Sequence, residues 1–461
     1  MYVPVTVSNF LRSPNRGTAA AMANAVRNKQ RARRRLARAA NRVDREPPGP
    51  APAAEVIVYF ADDPRKLYQL DQWLPVLAEL HKRHQVLIAL RKMDSLLDLR
   101  ARTFIPSVYV RRLADLLELY DELEPKVAIY VNNGVANFQS LAVSTMLHVH
   151  VNHGESDKVS MVSNQAKSYD RVFVAGEAAE RRHAAALIDF DQRKLVRVGR
   201  PQLDLTFPPQ LPPTTRRTVM YAPTWEGEND FNNYTSVDVY GPAIVSQLLD
   251  LPDVRLVYRP HPRVLTSTDP GVAAGHQEIL RLLEAADRRD PGAGHTSSME
   301  GNTLALFGHA DAMVTDVSSI GLDFLYLRTE KPLFIADRRN DRDLLAVDAP
   351  ISAACDVIDA GTIATLGATV AARLDSDQRL SSRQELRQFY FGDLAPGEST
   401  ERFLAAVSEV IAQRDRLIQG MAHPHGGSSA AAAAGDLGDD DSPASFQGHG
   451  ALASAGETAQ D

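Results

Sequence analysis

The sequence predicts an α/β fold of two doubly wound parallel sheets, and two observations support this class. Short apolar runs alternate with longer segments of helical periodicity through most of the 461 residues. A proline-rich stretch at residues 207–213 divides this alternation into two halves. Such alternation is typical of parallel sheets whose strands are joined by helices.

The predicted elements follow in regular order. The first half holds predicted strands at residues 55–60, 86–90, 127–131, 147–151, 171–175 and 195–198. Its predicted helices are at 65–83, 110–120, 138–144 and 177–187. The second half holds predicted strands at 218–221, 255–258, 312–314 and 333–335, with predicted helices at 237–249, 277–286, 303–308, 320–325, 362–374, 382–391 and 400–418. Two sheets facing across a cleft, with closing helices that cross back, suggest a GT-B architecture, and periodicity alone is compatible with other two-domain α/β arrangements.

The composition of the two ends differs from that of the middle. We expect a basic helical or disordered arm at residues 1–46, a linker at 47–54, one domain at 55–207, a second with closing helices at 214–420, and a disordered tail at 421–461. The basic stretch that begins at Arg27 and ends at Arg45 carries nine lysines and arginines against the single acid Asp44. It suits an anionic lipid surface, a solvated tail or a nucleic-acid arm.

Overall composition narrows the function classes. The net charge of −7 gives no reason to expect a nucleic-acid partner. One cysteine, Cys355, excludes an intrachain disulfide framework and fits a reducing compartment. No apolar run is long enough to predict a transmembrane helix, and no secretory leader is recognised.

A hydroxyl-rich turn follows the predicted strand at 312–314. It contains Thr315, Asp316, Ser318 and Ser319 and leads into a helical pattern. Ligands of open parallel sheets bind at the carboxyl ends of strands, and a helix N-terminus accepts phosphate. The turn is therefore either a phosphate site or an ordinary helix cap.

Two histidines also follow predicted strands. His153 precedes Gly154, and His261 lies between two prolines with Arg259 and Arg263 nearby. If the halves face each other, both histidines point into one cleft, where one can accept a proton and the other can stabilise phosphate charge. We find no pattern for a metal site and no dinucleotide fingerprint, so no cofactor is expected.

Taken together, these motifs resemble those of the CDP-glycerol glycerophosphotransferase family, which includes teichoic-acid polymerases and primases. The matching residues are His153-Gly154 with Lys158, Gly199 with Pro201 and Asp204, Tyr221 to Trp225 (YAPTW), Arg259 to Pro262 (RPHP), Thr315 to Ser319 (TDVSS), and Gly397 with Glu398 and Arg402. The resemblance implies a GT-B transferase that moves glycerol phosphate or ribitol phosphate from a CDP-polyol to a hydroxyl of a membrane-linked or cell-envelope acceptor, releasing CMP. It also implies a cytoplasmic protein, peripheral at the inner face of the cell membrane.

The same resemblance implies roles for the site residues. His153 would be the general base on the acceptor side, and His261 would stabilise charge on the leaving CMP. The donor would be held by Thr224, Arg259, Arg263, Thr315, Asp316, Ser318 and Ser319. The first domain would then be the acceptor side and the second the nucleotide-donor side.

Two positions depart from the family pattern. Glu155 stands where threonine is usual, and Gln202 stands where arginine is usual. We expect Glu155 either to raise the pKa of His153 or to indicate a different acceptor, and Gln202 to remove a phosphate contact. A GT-B nucleotide-sugar glycosyltransferase and a catalytically inactive nucleotide- or envelope-binding protein are the alternative functions.

Overall fold

The structure is a computed structural model, and it describes residues 53–158, 161–299, 301–395 and 397–421. The predicted basic arm, most of the predicted linker and all but the first residue of the predicted tail lie outside these described residues.

The first half forms a seven-stranded sheet in the order β3-β2-β1-β4-β5-β6-β7. Every neighbouring pair is parallel. Its strands are β1 (Val56–Phe60), β2 (Val86–Leu90), β3 (Ser107–Tyr109), β4 (Val127–Tyr130), β5 (Leu147–His150), β6 (Arg171–Val174) and β7 (Leu195–Arg197). Strand order reverses between β1 and β4, and ligands of such sheets bind at this switch point, beyond the carboxyl ends of the strands.

The second half forms a six-stranded sheet in the order β10-β9-β8-β11-β12-β13, again with every pair parallel. Its strands are β8 (Arg217–Ala222), β9 (Val254–Tyr258), β10 (Thr296–Ser297), β11 (Ala312–Asp316), β12 (Leu333–Ala336) and β13 (Asp356–Ile358). The switch point lies between β8 and β11. The YAPTW segment and the hydroxyl-rich turn begin in the last residues of these two strands, so the topology brings both motifs to the switch point.

Helices connect the strands in both halves. In the first half they are α1 (Tyr68–Asp71), α2 (Leu74–Arg83), α3 (Met93–Arg100), α4 (Leu113–Leu123), α5 (Asn137–Leu141) and α6 (Glu177–Ala186). In the second they are α7 (Gly241–Leu249), α8 (Pro270–Arg289), α9 (Leu304–Phe307), α10 (Ser319–Leu327), α11 (Arg342–Asp348), α12 (Leu366–Asp375), α13 (Leu380–Phe391) and α14 (Glu398–Gly420). Short 3₁₀ helices include Pro64–Lys66, Pro201–Asp204 and Pro262–Thr266.

The last helix returns to the first sheet. Phe403, Val407 and Val410 of α14 are buried in the same core as β1 and β4 of that sheet. Asp204 fixes the start of this helix, because its carboxylate accepts the backbone N–H groups of Gly397 (3.0 Å) and Thr400 (2.6 Å). The first core therefore depends on a segment that lies far away in sequence.

Gly199 packs closely against the start of the same helix. Gly199 has a φ of +74°, and a Cβ there would lie 2.2 Å from Ser399 Oγ and 2.4 Å from Leu394 Cδ1. Only glycine fits both the backbone conformation and the space. This is the physical reason for the glycine of the Gly199, Pro201 and Asp204 motif.

The structure differs from the predicted elements mainly at sheet edges and in one helix. The edge strands β3, β10 and β13 and the helices α3 and α11 were not predicted. The predicted helix at 65–83 is instead a 3₁₀ turn followed by α1 and α2. Residue Thr315, predicted as part of the turn, belongs to β11, and Asp316 ends that strand.

Candidate active site

His153 lies in a sharp turn that follows β5. The preceding residue, Asn152, has a φ of +51°, and its side-chain oxygen accepts the backbone N–H of His153 at 2.8 Å. Trp73 Nε1 donates to the Asn152 carbonyl at 2.6 Å, which ties the turn to the start of α2. The backbone of this turn is therefore held before any substrate binds.

The imidazole of His153 is neutral near pH 7. Burial is the main reason that its pKa falls to about 4, and the positive charges of Arg200 and Lys66 lower it further. An uncharged imidazole is the form that accepts a proton from a hydroxyl group.

His261 lies beyond β9 in a loop paired with the YAPTW segment. Its backbone N–H donates to the Pro223 carbonyl at 2.9 Å, and its ring stacks on Trp225 with centroids 6.0 Å apart. Burial lowers the pKa of His261 to about 3, helped by Lys158 and Arg263. Because its Nδ1 accepts the backbone N–H of Arg263 at 3.2 Å, the neutral ring carries its proton on Nε2. His261 is therefore a neutral hydrogen-bond donor rather than a cation.

The two histidines come from different sheets and meet on one side chain, Tyr68. The Tyr68 ring centroid is 5.9 Å from that of His153 and 6.1 Å from that of His261. The separation of the two imidazoles therefore cannot exceed the sum of these distances. The expected convergence of the two histidines is therefore present. We call the space that Tyr68, His153 and His261 border the gap.

The N-terminus of α10 borders the same gap. A Cβ on Gly154 would lie 3.4 Å from Ser319 Cβ, so the turn after β5 touches the first residue of this helix. Ser318 is at the N-cap position, and its side chain makes no capping hydrogen bond. Both serines are half-buried. The first backbone N–H groups of α10 and these hydroxyls form a cradle of the kind that binds phosphate.

Three of the predicted donor-binding side chains point into the protein. Arg259 is 7% exposed, and its guanidinium donates to the Ser298 and Gly301 carbonyls at 2.8 and 2.7 Å. Thr315 is fully buried, and its hydroxyl donates to the Ala222 carbonyl at 2.7 Å. These contacts hold the loops around the gap.

Asp316 is the third such residue. Its carboxylate is fully buried and accepts the backbone N–H groups of Thr224 (2.7 Å) and Ser236 (3.2 Å). Burial raises its pKa to about 7. The carboxylate holds the YAPTW loop against the hydroxyl-rich turn.

Thr224 and Arg263 lie at the gap. Thr224 is buried, and its hydroxyl accepts a hydrogen bond from Lys158 Nζ at 3.1 Å. The Arg263 guanidinium lies over the Trp225 ring, 4.1 Å from its centroid, and 3.7 Å from Glu228. Arg263 is thus a half-buried cation that the second half places at the gap.

Lys158 is a functional candidate absent from the predicted set of site residues, although it was part of the motif. It crosses from the turn after β5 to Thr224 of the second half. Burial lowers its pKa to about 8, and Asp316 opposes this shift. A lysine that still carries a charge at neutral pH, close enough to His261 to lower its pKa, is suited to a diphosphate ligand.

Glu155 does not act on His153 as expected. It is 5% exposed and forms an ion pair with Arg182, which also donates to Asp157 Oδ1 at 3.2 Å. Since the pKa of His153 is lowered and Arg182 neutralises Glu155, the expected rise in that pKa was wrong. Gln202 is also buried and lines, with Glu155 and Arg182, a cavity of about 40 Å³.

A buried ion pair links the two halves beside the site. Arg200 donates to Asp323 of α10 at 2.8 Å, and both side chains are less than a tenth exposed. Burial raises the pKa of Asp323 to about 6 despite the neighbouring guanidinium. This pair fixes α10, and hence the serine cradle, relative to the first half.

Among the described residues, no group of three or more histidine, cysteine, aspartate or glutamate side chains is arranged to hold a metal ion. The same part of the chain contains no helix with the length and apolar character needed to cross a membrane.

Solved structures share the GT-B fold of this chain. A UDP-N-acetylglucosamine 2-epimerase described as putative, from Listeria monocytogenes, is 12% identical with a TM-score of 0.51, covering 78% of this chain and 98% of its own. The S. aureus MnaA–UDP complex is 14% identical with a TM-score of 0.50, covering 77% and 96%. The wall teichoic acid polymerase TagF is 15% identical with a TM-score of 0.48, covering 78% and 90%.

Sequence comparison identifies the family. No protein of curated function matches the chain. The family model described as CDP-glycerol:poly(glycerophosphate) glycerophosphotransferase matches residues 83–342, which is more than half of the chain and includes both histidines, the YAPTW segment and the hydroxyl-rich turn. The chain therefore belongs to the CDP-glycerol:poly(glycerophosphate) glycerophosphotransferase family and is an enzyme of the glycerophosphotransferase type.

Proposed function

We propose that the protein transfers glycerol phosphate or ribitol phosphate from a CDP-polyol to a hydroxyl of a membrane-linked or cell-envelope glycopolymer, releasing CMP. The observation that carries this proposal is the meeting of His153 and His261 on Tyr68, beside the cradle of Ser318 and Ser319. A diphosphate in that cradle lies between a proton acceptor from one sheet and a proton-bearing imidazole from the other.

The chemistry assigned to the histidines is an in-line transfer. The acceptor oxygen forms a bond to the phosphorus that carries the polyol, while the bond from that phosphorus to the bridging oxygen breaks. His153 takes the hydroxyl proton. It can do so because its lowered pKa keeps the ring neutral near pH 7. CMP leaves with the electron pair, and the Nε2–H of His261 donates to its phosphate. Positioning and charge stabilisation supply most of the rate in phosphoryl transfer.

On the donor side, the ligands we assign are Ser318, Ser319, Lys158 and Arg263. Their hydroxyls, helix N–H groups and two cations match a diphosphate with two negative charges. Residues Thr224, Thr315, Asp316 and Arg259 would act through the loops that they hold. This assigns residues 214–420 to the donor and residues 55–207 to the acceptor.

The test is a CMP-release assay with purified protein, CDP-glycerol or CDP-ribitol, and a lipid-linked acceptor. We expect turnover that falls to background in His153→Ala and in His261→Ala. The matched control is His309→Ala, since His309 is half-buried in the second half without a place at the gap.

Two results would contradict the proposal. Thermal stabilisation by UDP- or GDP-sugars, without stabilisation or turnover by any CDP-polyol, would favour a nucleotide-sugar glycosyltransferase. An inactive protein that gains turnover in Glu155→Thr would instead be a binding protein that had lost catalysis.

We also propose that the protein works at the inner face of the cell membrane, held by the basic stretch from Arg27 to Arg45, where each basic residue contributes about 1 kcal/mol near anionic lipid. Cosedimentation with phosphatidylglycerol vesicles should be lost on deleting residues 1–46. Equal sedimentation of both forms would refute this location.

A further inference from the structure

Tyr68 lies against both histidines at the gap, and no motif of the family resemblance includes it. It opens α1 just after β1, at the switch point of the first sheet. Its ring is nearly perpendicular to both imidazoles, at 87° to His153 and 88° to His261. In the proposed transfer the reacting phosphoryl group is within reach of both imidazoles, which places it close to Tyr68.

Among the described residues, no group accepts a hydrogen bond from the Tyr68 hydroxyl. The hydroxyl oxygen accepts a hydrogen bond from Gln69 Nε2 at 3.5 Å. That contact uses the oxygen as an acceptor and leaves the O–H free to donate. Burial raises the pKa of Tyr68, so the phenol keeps its proton at neutral pH.

Two cations and one carboxylate act electrostatically on Tyr68. Arg263 from the second half and Lys66 from the first half lower its pKa, and Glu228 raises it by a smaller amount. Lys66 pairs with Asp62 at 3.1 Å, and Arg263 is 3.7 Å from Glu228, whose side chain is largely exposed. A phenol donor near two cations is a suitable partner for a non-bridging phosphate oxygen.

We propose that Tyr68 is a catalytic residue whose O–H donates to a non-bridging oxygen of the phosphoryl group during transfer from the diphosphate diester. The assignment rests on the proposed function and adds a residue to it. The bond changes are those of the transfer itself: the acceptor oxygen bonds to phosphorus, the bridging bond breaks, and CMP takes the electron pair. The acceptor proton goes to His153, while Tyr68 keeps its own proton throughout.

The experiment compares Tyr68→Phe with wild type in the CMP-release assay. Phenylalanine keeps the ring contacts with both histidines and removes only the hydroxyl. We expect kcat to fall about 10²- to 10³-fold, as when one donor to a developing oxyanion is removed, with little change in KM for the CDP-polyol. The matched control, Tyr240→Phe, removes a hydroxyl that donates to Asn340 Oδ1 at 3.1 Å in the second half, and should keep its kcat.

A merely structural Tyr68 predicts different readouts. It predicts an unchanged kcat in Tyr68→Phe, or a loss that accompanies a lower melting temperature and weaker CDP binding by calorimetry. Either result with an active wild type overturns the assignment and leaves the proposed function intact. A wild type that turns over no CDP-polyol overturns both.

Discussion

The lowered pKa of His153 predicts an unusual acid limit for activity. The perturbation is the pH, changed from 8 to 4, and the quantity followed is kcat/KM for the CDP-polyol, which reports ionisations of the free enzyme. A base with an ordinary histidine pKa of about 6.5 would be about nine-tenths protonated at pH 5.5, and the rate would fall about tenfold. With a pKa of about 4, His153 is still almost entirely neutral at pH 5.5.

We therefore expect kcat/KM to stay nearly constant from pH 7 to about 5.5 and to reach half its value near pH 4. The alkaline limit should come from Lys158, whose pKa of about 8 implies loss of its charge just above neutrality. The assay is CMP release at substrate concentrations well below KM, in buffers of constant ionic strength. A fall in kcat/KM with a midpoint near pH 6.5, at pH values where the protein remains folded, would refute the reasoning.

The pH profile needs a control for unfolding of the protein in acid. Two buried carboxyl groups stabilise the folded state against such unfolding. Burial raises the pKa of Asp157 and of Asp316 to about 7 each. In this range the folded state binds more protons than the unfolded state, so their contribution to stability is present at low pH and lost as pH rises through the folded pKa. Thermal unfolding should show no loss of stability from these groups between pH 7 and 5.5.

Three further predictions concern the framework of the site. Arg200→Met leaves Asp323 buried without its cation, and we expect a loss of about 3–5 kcal/mol in the free energy of unfolding, measured by urea titration. The loss should be smaller at pH 5 than at pH 8, because the protonated carboxyl group needs no cation. An equal loss at both pH values would refute the pairing. Gly199→Ala should lower the melting temperature by several degrees, because its Cβ would collide with Ser399, and an unchanged melting temperature would contradict the close approach. Cys355 is fully buried with a raised pKa, so a thiol reagent should label it only after denaturation; rapid labelling of the folded protein would contradict this burial.

The sequence was most informative where burial is uniform along an element. The strand at 86–90 was predicted with its observed bounds, since every one of its residues is buried and apolar. Edge strands such as Asp356–Ile358 are short and half-buried, so they carry no apolar run to recognise. The predicted helix at 65–83 is interrupted before α2, because Pro75 in the first turn of α2 has no backbone N–H with which to continue the helix from α1.

The candidate site was predictable in position but not in side-chain direction. Motif residues at strand ends meet because parallel strands bring their carboxyl ends to one edge. Residue type cannot tell that Arg259 and Asp316 turn inward to backbone groups, since the partners come from distant loops. Tyr68 was not predicted because no sequence motif marks it. Its closeness to His261 depends on how the two sheets face each other, which the sequence alone does not give.

Because α14 returns to the first sheet, the half that comes first along the chain depends on residues that come last in the described part of the chain. A fragment that ends after β7 would lack Phe403, Val407 and Val410, and would expose the apolar face that they cover. The growing chain can complete its first core only when its last described helix has been synthesised. An independently folding version of that half would require residues 397–421 to be joined to it by a new connection.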